Sequence, residues 1–285
     1  FAPLLLGFGC SVPAILSTRR IEGRNDRLVT IAILPMMSCA GRLPIYMMFV
    51  SALFPSHLQA TVLFGIYAAG ILLALLCARL LKNTFFKTVQ RDAPHRLKRL
   101  RIPSLRKVGL LMWSRAFMYV RKAGTFILGA SIILWFLNTY PRPEEGNAEN
   151  AAAAMEHSYA GQIGHWMEPV TRVAGFDWKV NSALLGAFAA KEIFVTQMGI
   201  LYAVQDGDSG PEAQQTLNTR LKASYTPLQG ISIMIFCLIA LPCIGTVTVA
   251  KREAGTWWFA LAQFAGLTVM GFVTATVVYQ VGLLL

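Results

Sequence analysis

Three cysteines share an unusual neighbourhood: Cys10 precedes Pro13, Cys39 lies between Pro35 and Pro44, and Cys243 directly follows Pro242, all within apolar sequence. Proline cannot donate the helical hydrogen bond to the carbonyl four residues back. Pro13 is therefore expected to free the carbonyl of Gly9, next to Cys10, and Pro44 that of Ala40, next to Cys39. A bare carbonyl in lipid is costly and persists where it lines a cavity or binds a ligand. Sulfur beside carbonyl oxygen suits a dehydrated soft or borderline cation, because thiolate favours Fe, Zn and Cu(I) over the oxygen-seeking Mg and Ca. An ion that must also be released requires few ligands at each station, not a closed tetrahedral cage. Cys10, Cys39 and Cys243 are thus the candidate metal ligands, with Gly9 and Ala40 as candidate carbonyl donors. Cys77 and Cys237 have no adjacent helix breaker and are expected to pack as small apolar side chains. All five cysteines lie in apolar segments and read as free thiols.

Glu192 is the fourth candidate ligand, since an ionisable side chain inside a membrane segment points to function by default. Its neighbour Lys191 offers an alternative partner, although adjacent helical residues point about 100° apart. Arg42, three residues after Cys39, is expected to cap freed carbonyls or pair with an acid. Met36 and Met37 could add thioethers, whereas His57, His157 and His165 read as solvated external residues and His95 falls in a basic loop. There is no His-Glu-x-x-His pattern, no Gly-x-Ser-x-Gly elbow and no P-loop, so nothing supports catalysis by this chain.

The elements that must hold these residues are membrane helices. Of 285 residues, 55% are hydrophobic and 14% charged, with mean hydropathy +0.52, too little polar cover for a water-soluble fold. Runs able to cross about 30 Å of hydrocarbon occur at 28–54, 58–81, 228–250 and 256–285. A fifth span is placed at 124–140, with Trp135 and Tyr140 as interface anchors. The stretches 1–18 and 181–203 read as broken or re-entrant helices. The net charge of +12 is concentrated between apolar runs: 82–122 holds twelve Lys or Arg against Asp92 alone, and 19–27 holds four arginines. That is the positive-inside pattern, compatible with anionic lipid and not with a nucleic-acid partner. The acidic region 141–180 is then external, and a re-entrant 181–203 returns Lys251 and Arg252 to the cytoplasm. Both ends of the chain read as cut from a longer protein.

Leu5-Leu6-Gly7-Phe8-Gly9-Cys10 is similar to Leu184-Leu185-Gly186-Ala187-Phe188-Ala189, and each is followed by a span with Cys-x-Gly, at Cys39 and Cys243. On the topology above the two halves are inverted copies, a plan common in transporters. Further motifs point the same way: Gly7-Phe8-Gly9-Cys10-Ser11-Val12-Pro13-Ala14, Met37-Ser38-Cys39-Ala40-Gly41-Arg42-Leu43-Pro44, and Pro242-Cys243 with Lys251-Arg252-Glu253. With Lys122-Ala123-Gly124-Thr125, Gly175-Phe176-Asp177-Trp178 and Ala190-Lys191-Glu192, nearly the whole chain resembles the bacterial FeoB ferrous-iron transporters. Ser11 and Gly41 depart from the residues expected there, Asn and Ala or a similar small residue.

The resemblance implies an all-α integral membrane fold, a multi-pass helical bundle with two inverted gate-type repeats and discontinuous, re-entrant helices. The first repeat is 1–81, the basic cytoplasmic loop with an amphipathic helix 82–122, and the second repeat 123–285. It also implies Fe²⁺ as transported substrate in a bacterial inner membrane, with no permanently bound cofactor and an iron path over Cys10, Cys39 and Cys243. GTP and Mg²⁺ would belong to a cytoplasmic G domain elsewhere in the full-length chain. A small cytoplasmic accessory protein and a homo-oligomer are the further partners expected. Two other readings fit broken, inverted halves: a gate-type carrier for a nucleoside or other organic solute, and a membrane metal sensor.

Overall fold

The computed structural model describes residues 2–84, 104–141, 155–202 and 211–284. The regular elements among them are all helical, the form in which a single segment satisfies its own backbone groups in lipid. Four stretches are long and apolar enough to cross a bilayer: Arg24–Leu53, Ser56–Thr84, Pro227–Ala254 and Trp257–Leu284. Each overlaps one of the four spans expected from sequence. Two are unbroken, α5 (Ser56–Thr84) and α13 (Trp257–Leu284). The first of the others is split into α3 (Arg24–Ile33) and α4 (Leu43–Leu53), with 3-10 turns at Leu34–Met36 and Ala40–Arg42 between them. The second is split into α11 (Pro227–Ile239) and α12 (Ile244–Ala254). The broken spans are 56% buried over their apolar windows and the unbroken ones 17%, so the interrupted backbone lies inside the protein while α5 and α13 face outward. Lipid cannot satisfy the polar groups a break exposes, and protein must.

Two shorter pairs of helices are also interrupted. Helices α1 (Ala2–Gly7) and α2 (Ser11–Ser17) are interrupted before Cys10, and α8 (Trp178–Ala189) and α9 (Lys191–Leu201) at Ala190. The cap dihedrals match across the halves: Cys10 has φ −155°, ψ 133° and Ala190 φ −151°, ψ 132°, while Cys39 has φ −78°, ψ 162° and Cys243 φ −62°, ψ 157°. Contacts at both ends show the spans running antiparallel. Arg27 at the start of α3 meets Glu253 at the end of α12, and Leu53 at the end of α4 meets Gly230 at the start of α11. One detail of the sequence alignment changes. The caps pair Cys10 with Ala190, one residue along from the Cys10–Ala189 pairing, because helix termination sets the register more stringently than matching small residues does.

One tyrosine ties together the two ends of the stretch 181–203, which the sequence reading makes re-entrant. The Tyr225 hydroxyl donates to Asp177 at the start of α8, and its ring packs edge-on against Tyr202 at the end of α9, 6.2 Å between centroids. Both ends of the hairpin therefore lie on one side. At the other end of these helices Lys82, in the last turn of α5, sits 3.5 Å from Asp26 in the first turn of α3, and Arg19 and Arg27 meet Glu253 near the end of α12, so these helix ends share one face. Helix α6 (Leu105–Thr139) is continuous for 35 residues and joins part of the basic stretch to the expected fifth span. Its apolar portion, Leu128–Thr139, covers only about 18 Å, so a crossing here must draw on residues before Leu128. Helices α7 (Tyr159–Thr171) and α10 (Pro211–Ser224) lie on the acidic side, where Asn218 of α10 pairs with Ser51 of α4.

Candidate metal path at the helix breaks

The four breaks meet. The Ala40 N–H donates to the Gly9 carbonyl at 3.2 Å, joining the first hairpin to the first broken span. Gly41 closes on the second hairpin: a Cβ there would lie 2.9 Å from Glu192 Oε1 and 3.7 Å from Lys191 Cβ. Gly245 brings the second broken span to the first hairpin, its would-be Cβ 3.6 Å from Val12 Cγ2 and 4.0 Å from Cys243 Sγ. Lys191 is also within electrostatic range of Cys39, Cys237, Cys243 and Arg42. Cys10 and Cys243 occupy the N-cap positions of α2 and α12, and Cys39 that of the 3-10 turn leading into α4. None of the three thiols caps its own helix, and all three are half-buried. Helix N-termini bring N–H groups and positive dipole ends to this centre, while the last turns of α1, α8 and α11 bring carbonyls without intrahelical partners.

The source of the carbonyls differs from the sequence expectation. Pro13 lies in the first turn of α2 and Pro44 in that of α4, where a backbone N–H has no helical acceptor and its loss releases nothing. The Gly9 carbonyl accepts from Ala40, and the Ala40 carbonyl from the Leu43 N–H. Each keeps a second lone pair, but neither is freed by proline. The breaks arise from helix termination itself. At the second span Leu241 takes φ 54°, a left-handed conformation costing a leucine about 1–3 kcal/mol, immediately before Pro242 and Cys243.

Charge is divided across the centre. Arg42 is 1% exposed and its Nη1 donates to the Met37 carbonyl at 3.0 Å, the carbonyl-capping role expected of it. Lys191 is 7% exposed, so it is held inside the protein and does not snorkel. Glu192 is exposed and sits in the first turn of α9, where the helix dipole favours a carboxylate. The two adjacent residues do point apart. Among the described residues no three His, Cys, Asp or Glu side chains converge on a single point. Cys10, Cys39, Cys243 and Glu192 are thus distributed over a ring of breaks and are not gathered into one cage.

Behind the ring, the second hairpin is anchored at its mouth. Asp177 caps α8, accepting from the Val180 N–H at 3.0 Å and from the Tyr225 hydroxyl at 2.9 Å, and burial pushes its carboxyl above the usual aspartate range. Gly175, at φ +81°, makes the turn before it, with Tyr279 where a Cβ would stand. Gly175-Phe176-Asp177-Trp178 is therefore a turn-and-cap device that aims α8 at the centre.

A family model described as Gate, nucleoside recognition, matches residues 120–257, and one described as ferrous iron transport protein B C terminus matches 63–115. A Porphyromonas gingivalis Fe(2+) transport protein A/Fe(2+) transporter FeoB fusion protein is 37% identical, the match covering 100% of this chain and 38% of the relative. The Fe(2+) transporter FeoB of Campylobacter jejuni is 35% identical over 96% of this chain and 45% of its own length, and that of Staphylococcus aureus (strain COL) 36% identical over 99% and 40%. The chain belongs to the FeoB family. It spans about two fifths of the length of these FeoB relatives. No solved structure matches it.

Sequence reasoning missed several residues that line this candidate path. Ser38 and Tyr46 are buried beside Cys39. Thr246 is buried with its hydroxyl 3.2 Å from Cys243 Sγ. The signal for Thr246 was its place three residues after a cap; nothing in the sequence marked Tyr46. Other expectations fall outside the ring. Cys237 is buried in the core, Cys77 Sγ lies 3.5 Å from Met270 Sδ, and Met36 and Met37 are core residues. His57 and His157 are exposed, and His165 stacks on Trp178 with a different carboxylate at each ring nitrogen, Glu156 at 3.7 Å and Glu168 at 3.5 Å. His95 lies outside the described residues.

Proposed function

We propose that this chain is the membrane portion of a ferrous-iron transporter, and that Fe²⁺ passes through the ring where the four helix breaks meet. The supporting observation is the convergence of the breaks that carry Cys10, Cys39, Cys243 and Glu192. Fe²⁺ enters from the acidic, external side, sheds water, and moves between thiol stations, the Glu192 carboxylate and backbone carbonyls, including those of Gly9 and Ala40. Dispersed stations suit conduction, because a closed cage of thiolates would hold the ion.

In this reading residues 1–81 and 123–285 are the two inverted repeats, 82–122 is the basic cytoplasmic loop, and the membrane is the bacterial inner membrane. A G domain elsewhere in the full-length chain supplies GTP and Mg²⁺ chemistry and acts through the cytoplasmic loops. The name of the Porphyromonas gingivalis relative, a fusion with a transport protein A, supports a small accessory partner. A homo-oligomer is compatible with the outward faces of α5 and α13. The test is uptake by the full-length protein in vesicles. Cys10→Ser, Cys39→Ser and Cys243→Ser, singly and together, should slow Fe²⁺ accumulation; unchanged uptake in the triple variant rejects the thiol path. Nucleoside accumulation in the same vesicles would instead support the organic-solute carrier suggested by the Gate description, and Fe²⁺ binding without accumulation a sensor.

A further inference from the structure

One carboxylate joins the two halves of the molecule on the basic side. The side chain of Glu253, near the end of α12 in the second half, is only 3% exposed and is held by two arginines of the first half. Arg19, just after α2, donates from Nε to Oε1 and Oε2 at 3.0 Å and from Nη2 to Oε1 at 2.5 Å. Arg27, in α3, donates from Nη2 to Oε2 at 2.5 Å and to the Glu253 carbonyl at 3.0 Å. Such fork-like, charge-assisted contacts are the strong members of their class and fix geometry as well as energy.

Between this carboxylate and the breaks lies a small apolar cluster, separate from the main core. Ala14 and Ile15 of α2, Ile31 of α3, Leu34 of the following turn and Ala250 of α12 are all fully buried against one another. Helices α2 and α12 thus lie side by side along their length. Val12 faces Gly245 at the break, Ile15 and Ala250 share the middle of the seam, and Arg19 grips Glu253 at the outer end. An ion at Cys10 or Cys243 meets a dry seam on this side. A cavity of about 350 Å³, lined by Glu22, Arg24, Arg27 and Glu253 among others, adjoins Arg27, so that side chain has room to swing aside without disturbing the core.

We propose that the seam of α2 and α3 against α12 is the cytoplasmic gate of the ion path, and that Glu253 latches it shut through Arg19 and Arg27. The gate rests on the reading of the breaks as the path, but its test does not depend on iron. Ala250→Cys places a reporter thiol in the closed seam of the full-length protein. Its labelling by a membrane-impermeant maleimide, read by mass spectrometry at that position, is compared in inside-out and right-side-out vesicles. Glu253→Gln and, separately, the double variant Arg19→Gln/Arg27→Gln should each speed labelling about tenfold from the cytoplasmic side and leave it unchanged from the external side. An unchanged cytoplasmic rate in both variants overturns the latch, and so does an equal rise from both sides, which signals general loosening. If the latch variants behave as expected while the cysteine-to-serine proteins still take up Fe²⁺, the gate stands and the thiol path falls.

Discussion

Gly271 lies inside α13 where that helix passes the break before Cys243. A methyl group there would stand 2.8 Å from the Ala240 Cβ, 3.1 Å from its backbone nitrogen and 3.4 Å from its Cα. The first distance is more than half an ångström inside ordinary contact, and the neighbours are backbone and a Cβ, which cannot rotate away. Gly271→Ala must therefore move α13 or the chain leading to Cys243. Overpacking of this kind costs about 1–3 kcal/mol, while replacing glycine by alanine within a helix returns about 1 kcal/mol. Gly266 on the same helix has nothing within 4 Å of its would-be Cβ, so Gly266→Ala receives the helical gain alone. The propensity term cancels between the two, and Gly271→Ala should be less stable than Gly266→Ala by about 1–3 kcal/mol. Reversible unfolding in mixed micelles measures the gap, and Fe²⁺ uptake by the full-length variants should fall for Gly271→Ala only. Equal stabilities would show that α13 does not press on the break, removing the reason given for a glycine at 271.

Two further expectations concern how the second half is held. The fully buried Ser232 hydroxyl reaches the carbonyls of Ala174, at 2.7 Å, and Ala275, at 3.1 Å. Ser232→Ala should cost about 1 kcal/mol in the same unfolding assay, and no change would mean other donors serve those carbonyls. Burial raises the folded-state carboxyl of Asp177 above its unfolded value, so its protonated form favours folding. That contribution is complete below the ordinary aspartate value of about 3.9 and is lost as pH rises through the raised folded value. Asp177→Asn, which preserves the cap, should flatten the stability profile upward from about pH 4; an unchanged slope assigns the titration elsewhere.

Composition was enough to specify the membrane class and the four long spans, and charge order gave an expected orientation. Hydrophobic length and the distribution of Lys and Arg are properties of the linear chain, and bilayer thickness and surface potential act on them directly. The three cysteines were legible for a related reason, since a helix breaker and a thiol sit next to each other in sequence. Their mechanism was not. Pro13 and Pro44 looked like residues that release carbonyls from a running helix, but whether a proline falls in the interior or the first turn depends on where the helix begins. That start is decided by contacts from distant segments, such as the Ala40 N–H on the Gly9 carbonyl. Packing across the halves likewise buried Lys191 and exposed its neighbour Glu192. It also placed Glu253 between Arg19 and Arg27, more than two hundred residues away along the chain. Local sequence thus determined which segments break, while only the tertiary structure decided that the breaks meet and what closes the seam behind them, because both follow from the antiparallel docking of the two halves.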